Sequence, residues 1–433
     1  MSTHPAPWKA GTARRVITPQ QPMYMTGFAF RDRPGEKALH DLWAKVLVVE
    51  DADGQRVVFV CADIIGFTTA MAETIAERIQ QAWGIERANI IFNASHTHSG
   101  PMLDGLFNVM VELDEVHRER VVNYTSALLD IITDLVAEAI GKLEPAFLSY
   151  GCGMASFAVN RRQPTPNGVI NAYNPAGPSD FDVPVLKIAT ADGKLLSIVC
   201  GYACHTTVLS GYQFNGDWAG YAQIDLETKY PDAQVMFMML CGADQNALPR
   251  GTVVQAQTYG AQLATAVVRV LSKALQPLSG PLKTSYETIE LALQPHSRAD
   301  FEAHAEETAP EVICRARHAQ NMLQTYDEGR PIQNVPYPVQ VIAFGEDCVL
   351  LALDGEVVVD YSLRAKRELG VKNLIVAGYS NGITAYIPSR RVLEEGGYEG
   401  GESRIYFGLP SPFAQDVEDR IFAAMKRGVD AVK

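Results

Sequence analysis

The alternation of short apolar runs with helical patterns is the feature that most constrains how this chain folds. Apolar runs typical of buried strands span residues 44–49, 57–61, 89–93, 185–188, 196–202, 235–240, 339–344, 348–353 and 373–378. Helical spacing of apolar residues occurs over residues 69–83, 113–140, 218–229, 252–274, 299–323, 356–368 and 414–427. This alternation predicts an α/β fold with a layered sheet flanked by helices. Strands crowd together before residue 213, which indicates a sheet that is antiparallel in part, or mixed.

Composition and charge exclude several classes of protein. Of 433 residues, 47% are hydrophobic and 20% are charged, which is the balance of a globular protein. The formal net charge of −13 argues against a nucleic-acid partner, because such a protein needs a basic surface to displace counterions. No apolar run reaches the ~18–20 residues that a membrane span needs. We therefore expect a small-molecule substrate, no nucleic acid and no membrane span, and we leave a homo-oligomer open.

The N-terminus and the cysteines bear on the cellular compartment. The first eleven residues contain no apolar core and no small-residue cleavage site, so they do not resemble a secretory signal. The seven cysteines form no CxxC pair and are odd in number, which favours free thiols over a disulfide framework. These features predict a reduced, cytoplasmic protein. We expect residues 1–433 to form one domain.

Polar side chains follow four of the apolar runs at the point where each run ends. They are His96 and His98, then His205, Asp244 and Asn381. In open α/β sheets ligands bind outside the carboxyl ends of the strands, so these residues are predicted to converge on one site.

The His96-Thr-His98 segment is the strongest candidate for metal chemistry. Residues i and i+2 of an extended backbone point to the same side, so both imidazoles can chelate one metal or divide between metal and substrate. His205 either supplies a third imidazole or hydrogen-bonds backbone at a strand end. Catalytic zinc takes about three protein ligands and keeps one position open, and histidine is a common ligand.

The residues around these histidines resemble a known family. Residues 94–101, Ala-Ser-His-Thr-His-Ser-Gly-Pro, resemble the T/S-H-T-H-S-G-P signature of the neutral/alkaline (non-lysosomal) ceramidase family. Shorter segments that resemble the family follow in the same order: Asn160-Arg161, residues 203–208, Gly355-Glu356, residues 380–386 and Gly397–Gly400. The resemblance covers nearly the whole chain and implies a ceramidase-like catalytic domain.

The resemblance also implies a ligand set for one zinc ion: His96, His205, Glu356 and Tyr386. It places His98 and Arg161 against the polar head of the substrate. Two imidazoles and one carboxylate leave zinc with net positive charge, which brings the pKa of bound water towards ~7. The residues alone also allow Glu356 to be an N-terminal partner of a helix dipole, and Tyr386 to be a half-buried aromatic.

One segment departs from the family pattern. Where the family reads G-D-V-S-P-N, this chain reads Gly-Ala-Asp244-Gln245-Asn246, with Gln245 in place of a serine that is counted among the family's catalytic residues. Asp244 and Gln245 are therefore candidate contacts for substrate hydroxyls or a leaving group. Ile383 likewise replaces a family tyrosine. We also expect no immunoglobulin-like C-terminal domain, which together with these departures predicts a poor ceramidase.

Two acids and a tyrosine-serine pair complete the candidates. Asp63 either orients a metal-bound histidine or caps a strand–loop junction. Asp217 is predicted to cap a helix N-terminus, and Tyr379-Ser380 are candidate pocket residues.

The sequence therefore predicts a zinc-dependent hydrolase that uses metal-activated water on an amide or related acyl bond of a small soluble substrate. The alternatives are a zinc hydrolase of a lactone, ester or sugar-like substrate, and a catalytically silent metal-binding relative.

Overall fold

The strands of this computed structural model, which describes residues 8–433, form two main sheets and four short pairs. In chain order they are β1 (Trp8–Val16), β2 (Lys37–Ala38), β3 (Trp43–Glu50), β4 (Arg56–Ala62), β5 (Ile90–Ala94), β6 (Glu144–Met154), β7 (Ala158–Asn160), β8 (Arg162–Thr165), β9 (Gly168–Asn171), β10 (Asp182–Thr190), β11 (Leu195–Tyr202), β12 (Gln213–Phe214), β13 (Gln234–Met239), β14 (Gln245–Ala247), β15 (Gln276–Leu278), β16 (Leu282–Ala292), β17 (Asn334–Phe344), β18 (Cys348–Leu353), β19 (Glu356–Val357), β20 (Leu374–Ala377) and β21 (Tyr386–Ile387).

The helices mostly pack against the outer faces of the two sheets. They are α1 (Thr69–Trp83), α2 (Glu115–Gly141), α3 (Asp217–Lys229), α4 (Val253–Leu271), α5 (Ala299–Glu302), α6 (Ile313–Asp327), α7 (Val359–Glu368), α8 (Arg390–Glu395), α9 (Gly397–Gly400) and α10 (Val417–Val432). The start of α1 is capped by the Thr68 side chain, and α4 begins with a capping box between Thr252 and Gln255. Among the helices described, none is both long and apolar enough to cross a bilayer.

The larger sheet has the order β13-β11-β10-β6-β1-β3-β4-β5, and β15 pairs with β6. Its β11–β13 and β4–β5 pairs are parallel and the others are antiparallel. The smaller sheet has the order β16-β17-β18-β20, in which only β18–β20 is parallel. The prediction of a mixed sheet with helices packed on it is confirmed.

Alternate residues of each strand enter different hydrophobic cores, which gives four layers. Val46 and Val58 of the larger sheet pack with the helices α1 to α4, whereas Leu47 and Phe59 pack against Ile342 of the smaller sheet. The other face of the smaller sheet packs against α7 and α10. The sequence predicted strands and helices, but the stacking of two sheets between helix layers follows from this two-residue alternation.

Several boundaries differ from the sequence prediction. The helix predicted over residues 299–323 is divided into α5 and α6, with Pro310, which cannot donate a backbone hydrogen bond, between them. Glu356 does not open α7 but lies in β19, because its backbone pairs with Tyr386 of β21. Asp217 is the first residue of α3, whose N-cap is Gly216.

The two sheets meet at the ends of β5, β13 and β20. The Asn93 side chain donates to the carbonyls of Met239 and Gly378 and accepts from the Met239 amide. This buried amide therefore ties the larger sheet to the smaller one, next to the loop that carries His96 and His98.

Candidate metal centre

Four loops or strands bring five candidate residues together. His96 and His98 lie in the loop after β5, and His205 lies in the loop after β11. Glu356 and Tyr386 are paired across the parallel strands β19 and β21. The candidate site is thus built from the ends of two strands of the larger sheet and from one short pair.

Each of the three histidines directs one ring nitrogen towards the others. The Nδ1 atoms lie 2.7–2.9 Å from backbone carbonyls, His96 from Ile65, His98 from Gly27 and His205 from Gly242. A carbonyl only accepts, so each Nδ1 carries the proton and each neutral ring has a lone pair on Nε2. The Nε2 lone pairs face one another in the protein interior and repel, and a bound cation would relieve that repulsion.

The spacing of the donor atoms fits a metal ion. Oε2 of Glu356 lies 3.2 Å from Nε2 of His96 and 3.0 Å from Nε2 of His205. The Tyr386 hydroxyl lies 3.3 Å from Nε2 of His205, and Nε2 of His98 lies 3.0 Å from that of His96. Ligands about 2.0–2.1 Å from a tetrahedral zinc are roughly 3.3 Å apart. The three imidazoles, with ligand atoms within 4.8 Å of one another, can hold a metal ion.

The charges of the cluster also favour a cation. Burial and the nearby Arg161 lower the pKa of His205 to about 4, and burial and the neighbouring His96 and His205 lower the pKa of His98 well below its ordinary range. Burial raises the pKa of Glu356, but His96 and His205 lower it further, so the carboxyl is ionised. Metal ligation needs neutral imidazoles, and these together with the buried carboxylate form a site of net negative charge.

Arg161 lies directly behind Tyr386. Its Nη2 donates to the Tyr386 hydroxyl at 3.0 Å and its Nε donates to Glu399 at 2.7 Å. The other oxygen of Glu399 accepts from Arg162 at 2.7 Å. One buried carboxylate thus holds two adjacent guanidinium groups, one of which contacts the candidate metal centre.

Glycine is required where two of these carbonyl contacts form. A Cβ on Gly27, whose φ is +100°, would lie 2.4 Å from Nδ1 of His98. A Cβ on Gly242 would lie 2.5 Å from the Cys204 amide, one residue before His205. The backbone approaches both imidazoles this closely only because there is no side chain.

The Asp244 and Gln245 side chains do not face the cluster. Asp244 accepts from the Val359 amide at the start of α7, at 2.8 Å. Gln245 donates to the Ala203 carbonyl and accepts from the Asp180 amide. The side chains of Asp244 and Gln245 are hydrogen-bonded to other parts of the protein, so both residues stabilise the loops around the site.

Asp63 also lies apart from the histidines. Its carboxylate accepts from the Trp43 amide and from Gln223, as a residue that caps a strand–loop junction does. Tyr379, by contrast, donates to Glu356 at 3.3 Å, and its ring lies 4.4 Å from that of His96.

Sequence reasoning gave no role to Glu399 and only a pocket role to Tyr379. Two adjacent arginines that become buried need a carboxylate, so Arg161-Arg162 was a signal for Glu399, but nothing in the sequence locates that partner. His96 and Tyr379 have positive φ values of 56° and 51°. Such strain in non-glycine residues is found at functional sites.

Aromatic rings and a cavity adjoin the cluster beside Tyr386. The Tyr386 ring lies 5.2 Å from that of Tyr398 and 5.8 Å from that of Phe407. Phe407, Phe107 and Leu106 line a cavity of about 320 Å³. This side of the site therefore has aromatic rings beside a cavity whose lining is partly apolar and partly uncharged polar.

Comparisons with known proteins agree with this architecture. The sequence model described as neutral/alkaline non-lysosomal ceramidase, N-terminal, matches residues 8–287. Over 233 residues the chain is 26% identical to the neutral ceramidase of Pseudomonas aeruginosa, a match that covers 51% of this chain and 34% of that protein. The chain thus matches about a third of the length of this curated relative.

Two solved structures share the fold. A ceramidase complexed with C2 superposes with a TM-score of 0.76 at 17% identity, over 98% of this chain and 75% of that chain. The crystal structure of the neutral ceramidase from Pseudomonas aeruginosa superposes with a TM-score of 0.74 at 18% identity, over 99% of this chain and 74% of that chain. Because the family model matches well over half of the sequence, the chain belongs to the neutral/alkaline non-lysosomal ceramidase family.

Proposed function

We propose that this chain is a zinc-dependent hydrolase that cleaves an amide or related acyl bond of a small substrate, with water as the nucleophile. Membership of the ceramidase family supports a hydrolase. The observation that carries the proposal is a buried cluster of four donor side chains in which each donor atom lies 3.0–3.3 Å from at least one other. The proposed zinc ligands are His96, His205, Glu356 and Tyr386.

The donor set suits zinc in particular. Two imidazole nitrogens, a carboxylate oxygen and a phenol oxygen are ligands that zinc accepts, and the anchored Nδ1 atoms fix the tautomer that binding needs. When bound, zinc would supply a Lewis acid for the acyl carbonyl and would lower the pKa of a water molecule.

We assign His98 to proton transfer. It is 9% exposed, whereas His96 and His205 are fully buried, so His98 is the imidazole nearest to entering substrate. Its Nδ1 is held by the Gly27 carbonyl, which leaves Nε2 free to accept a proton from water and return it to the leaving group.

We assign Arg161 to the stabilisation of the phenol oxygen of Tyr386. The guanidinium donates to that oxygen and so stabilises negative charge on it. Glu399 holds Arg161 in place. We propose no serine nucleophile, since Gln245 stands where the family has serine and its side chain bonds only protein backbone.

A substrate panel tests the proposal. Purified protein is assayed on hexanoyl amides, a six-carbon lactone, a hexanoyl ester and a short-chain ceramide. Each assay is done before chelation, after chelation and after zinc is restored. We expect amide hydrolysis that chelation abolishes and zinc restores. His98→Ala should lower this activity far more than the control His304→Ala, on a half-exposed histidine between α5 and α6. Turnover of the lactone or ester alone would favour the alternative substrates, and turnover of none would indicate a silent relative.

A further inference from the structure

A second cavity lies beside the candidate metal centre, on the side of Arg161. Its volume is about 470 Å³, and it is lined by Arg250, Tyr173, Asn171 and Asn246 together with apolar Leu248 and Pro249. Among the described residues that line it, none is acidic. The cavity therefore presents one cation and several uncharged hydrogen-bonding groups.

A chain of hydrogen bonds joins this cavity to the metal centre. Asn246 forms a β-bridge with His205, and its Oδ1 accepts from Arg161 at 3.3 Å and from Thr207 at 3.4 Å. The Thr207 hydroxyl in turn accepts from Arg250 at 3.2 Å. A ligand group on Asn246 would thus be linked to Tyr386, a proposed zinc ligand, through Asn246 and Arg161.

Arg250 has no carboxylate of its own within residues 8–433, where it forms no ion pair within 4.0 Å. The nearby acid Asp217 is fully buried and its oxygens accept from the Leu209 and Trp218 amides. Arg161 adds a second positive charge close by and, with burial, lowers the pKa of Arg250. In a chain with net charge −13, this unpaired cation at the edge of the site favours an anionic ligand.

We propose that this cavity binds a carboxylate on the amine side of the scissile amide, so that the substrate is an N-acyl amino acid. Arg250 would bind the carboxylate and Asn246 would lie alongside it. The cavity beside Phe407, on the Tyr386 side of the cluster, would take the acyl chain against Leu106, Phe107 and Phe407. This inference rests on the proposed function and specifies its substrate class.

The reaction is a hydrolysis and needs no further reactant than water. The water oxygen forms a bond to the acyl carbon, the carbon–nitrogen bond breaks, and the amine nitrogen takes a proton. The products are a carboxylic acid and a free amino acid.

Binding is tested with two ligands that cannot be hydrolysed. They are the ketone isosteres of hexanoylglycine and of hexanoylethanolamine, in which a methylene replaces the amide nitrogen. The two differ only in a carboxylate against a hydroxymethyl group. By calorimetric titration of the protein as purified, we expect the acid to bind about tenfold or more tightly than the alcohol, because a charge-assisted guanidinium–carboxylate bond is involved. Arg250→Gln should abolish this preference, and Arg269→Gln, on an exposed arginine at the far end of α4, should keep it.

Equal binding of the two isosteres, binding of neither, or an unchanged preference in Arg250→Gln would overturn the inference. Turnover of hexanoylglycine and hexanoylethanolamine separates it from the proposed function. A carboxylate preference in binding without hydrolysis of either amide would support the proposed carboxylate subsite and contradict the proposed reaction. Hydrolysis of both amides with equal kcat/KM would support the proposed reaction and contradict the carboxylate subsite.

Discussion

Glu399 should contribute to both stability and turnover, because it is the shared partner of two buried arginines. Its oxygens accept from Arg161 and Arg162 at 2.7 Å each, and its side chain is 2% exposed. Glu399→Gln keeps the shape but removes the charge and turns an amide donor towards one guanidinium. The variant thus leaves buried positive charge without its carboxylate.

The magnitude follows from what each arginine retains. Removal of one partner of a buried ion pair costs about 3–5 kcal/mol. Arg162 keeps Glu395 at 3.1 Å, and Arg161 keeps Tyr386 and Asn246, so we expect the lower end, about 3 kcal/mol of unfolding free energy. Glu395→Gln is the matched control, since its side chain is 32% exposed and such pairs contribute about 0–1 kcal/mol.

Urea unfolding of the two variants and the parent chain, followed by tryptophan fluorescence and by circular dichroism, measures these values. Zinc content and kcat on the best amide are measured on the same samples. We expect Glu399→Gln to lose kcat with its zinc retained, because Arg161 keeps its hydrogen bond to Tyr386 but loses the carboxylate that fixes its position. If Glu399→Gln lost no more stability than Glu395→Gln and kept its kcat, the reasoning on this buried network would be refuted.

Other side chains of the site give further predictions. His98→Ala should keep zinc in metal analysis and lose turnover, whereas loss of zinc equal to that in His96→Ala would make His98 a ligand. Tyr386→Phe should lower kcat by about tenfold or more, since the acceptor of a charge-assisted hydrogen bond is removed. Gln245→Ala should lower the unfolding free energy by about 1–3 kcal/mol, because two buried backbone groups lose their partner, with zinc unchanged. The pKa of Glu399 is lowered in the folded protein, so the stabilisation from its carboxylate is fully present above the unfolded pKa of about 4.3 and is lost as pH falls through the folded pKa. As pH is lowered from about 4.3, the urea midpoint of Glu399→Gln should therefore fall less steeply than that of the parent chain.

The sequence predicted the buried strands well and the half-exposed ones poorly. Strands such as β4 and β18 are buried on both faces and appear as continuous apolar runs. The strands β1 and β16 were missed because charged residues interrupt them on an exposed face. Apolar runs also do not reveal which face meets a second sheet, so the four layers were beyond sequence reasoning.

The candidate site was predictable where chemistry is local in the chain. His96, His98 and His205 follow strands directly, and a histidine pair with glycine nearby points to a ligand site. Asp244 also ends a strand, but a strand end does not determine where a side chain points, and this one turns to the start of α7. Glu399 is separated from Arg161 by more than half of the chain, so only the fold brings them together.

Zinc content of ligand variants tests the central claim most directly. Metal analysis of the purified parent chain, His96→Ala, His205→Ala and the surface control His304→Ala is done on folded protein checked by circular dichroism. We expect about one zinc per chain in the parent and in His304→Ala, and little in either ligand variant. Stoichiometric zinc in both His96→Ala and His205→Ala, or no zinc in the parent after growth in zinc, would contradict the assignment of this cluster as a zinc centre.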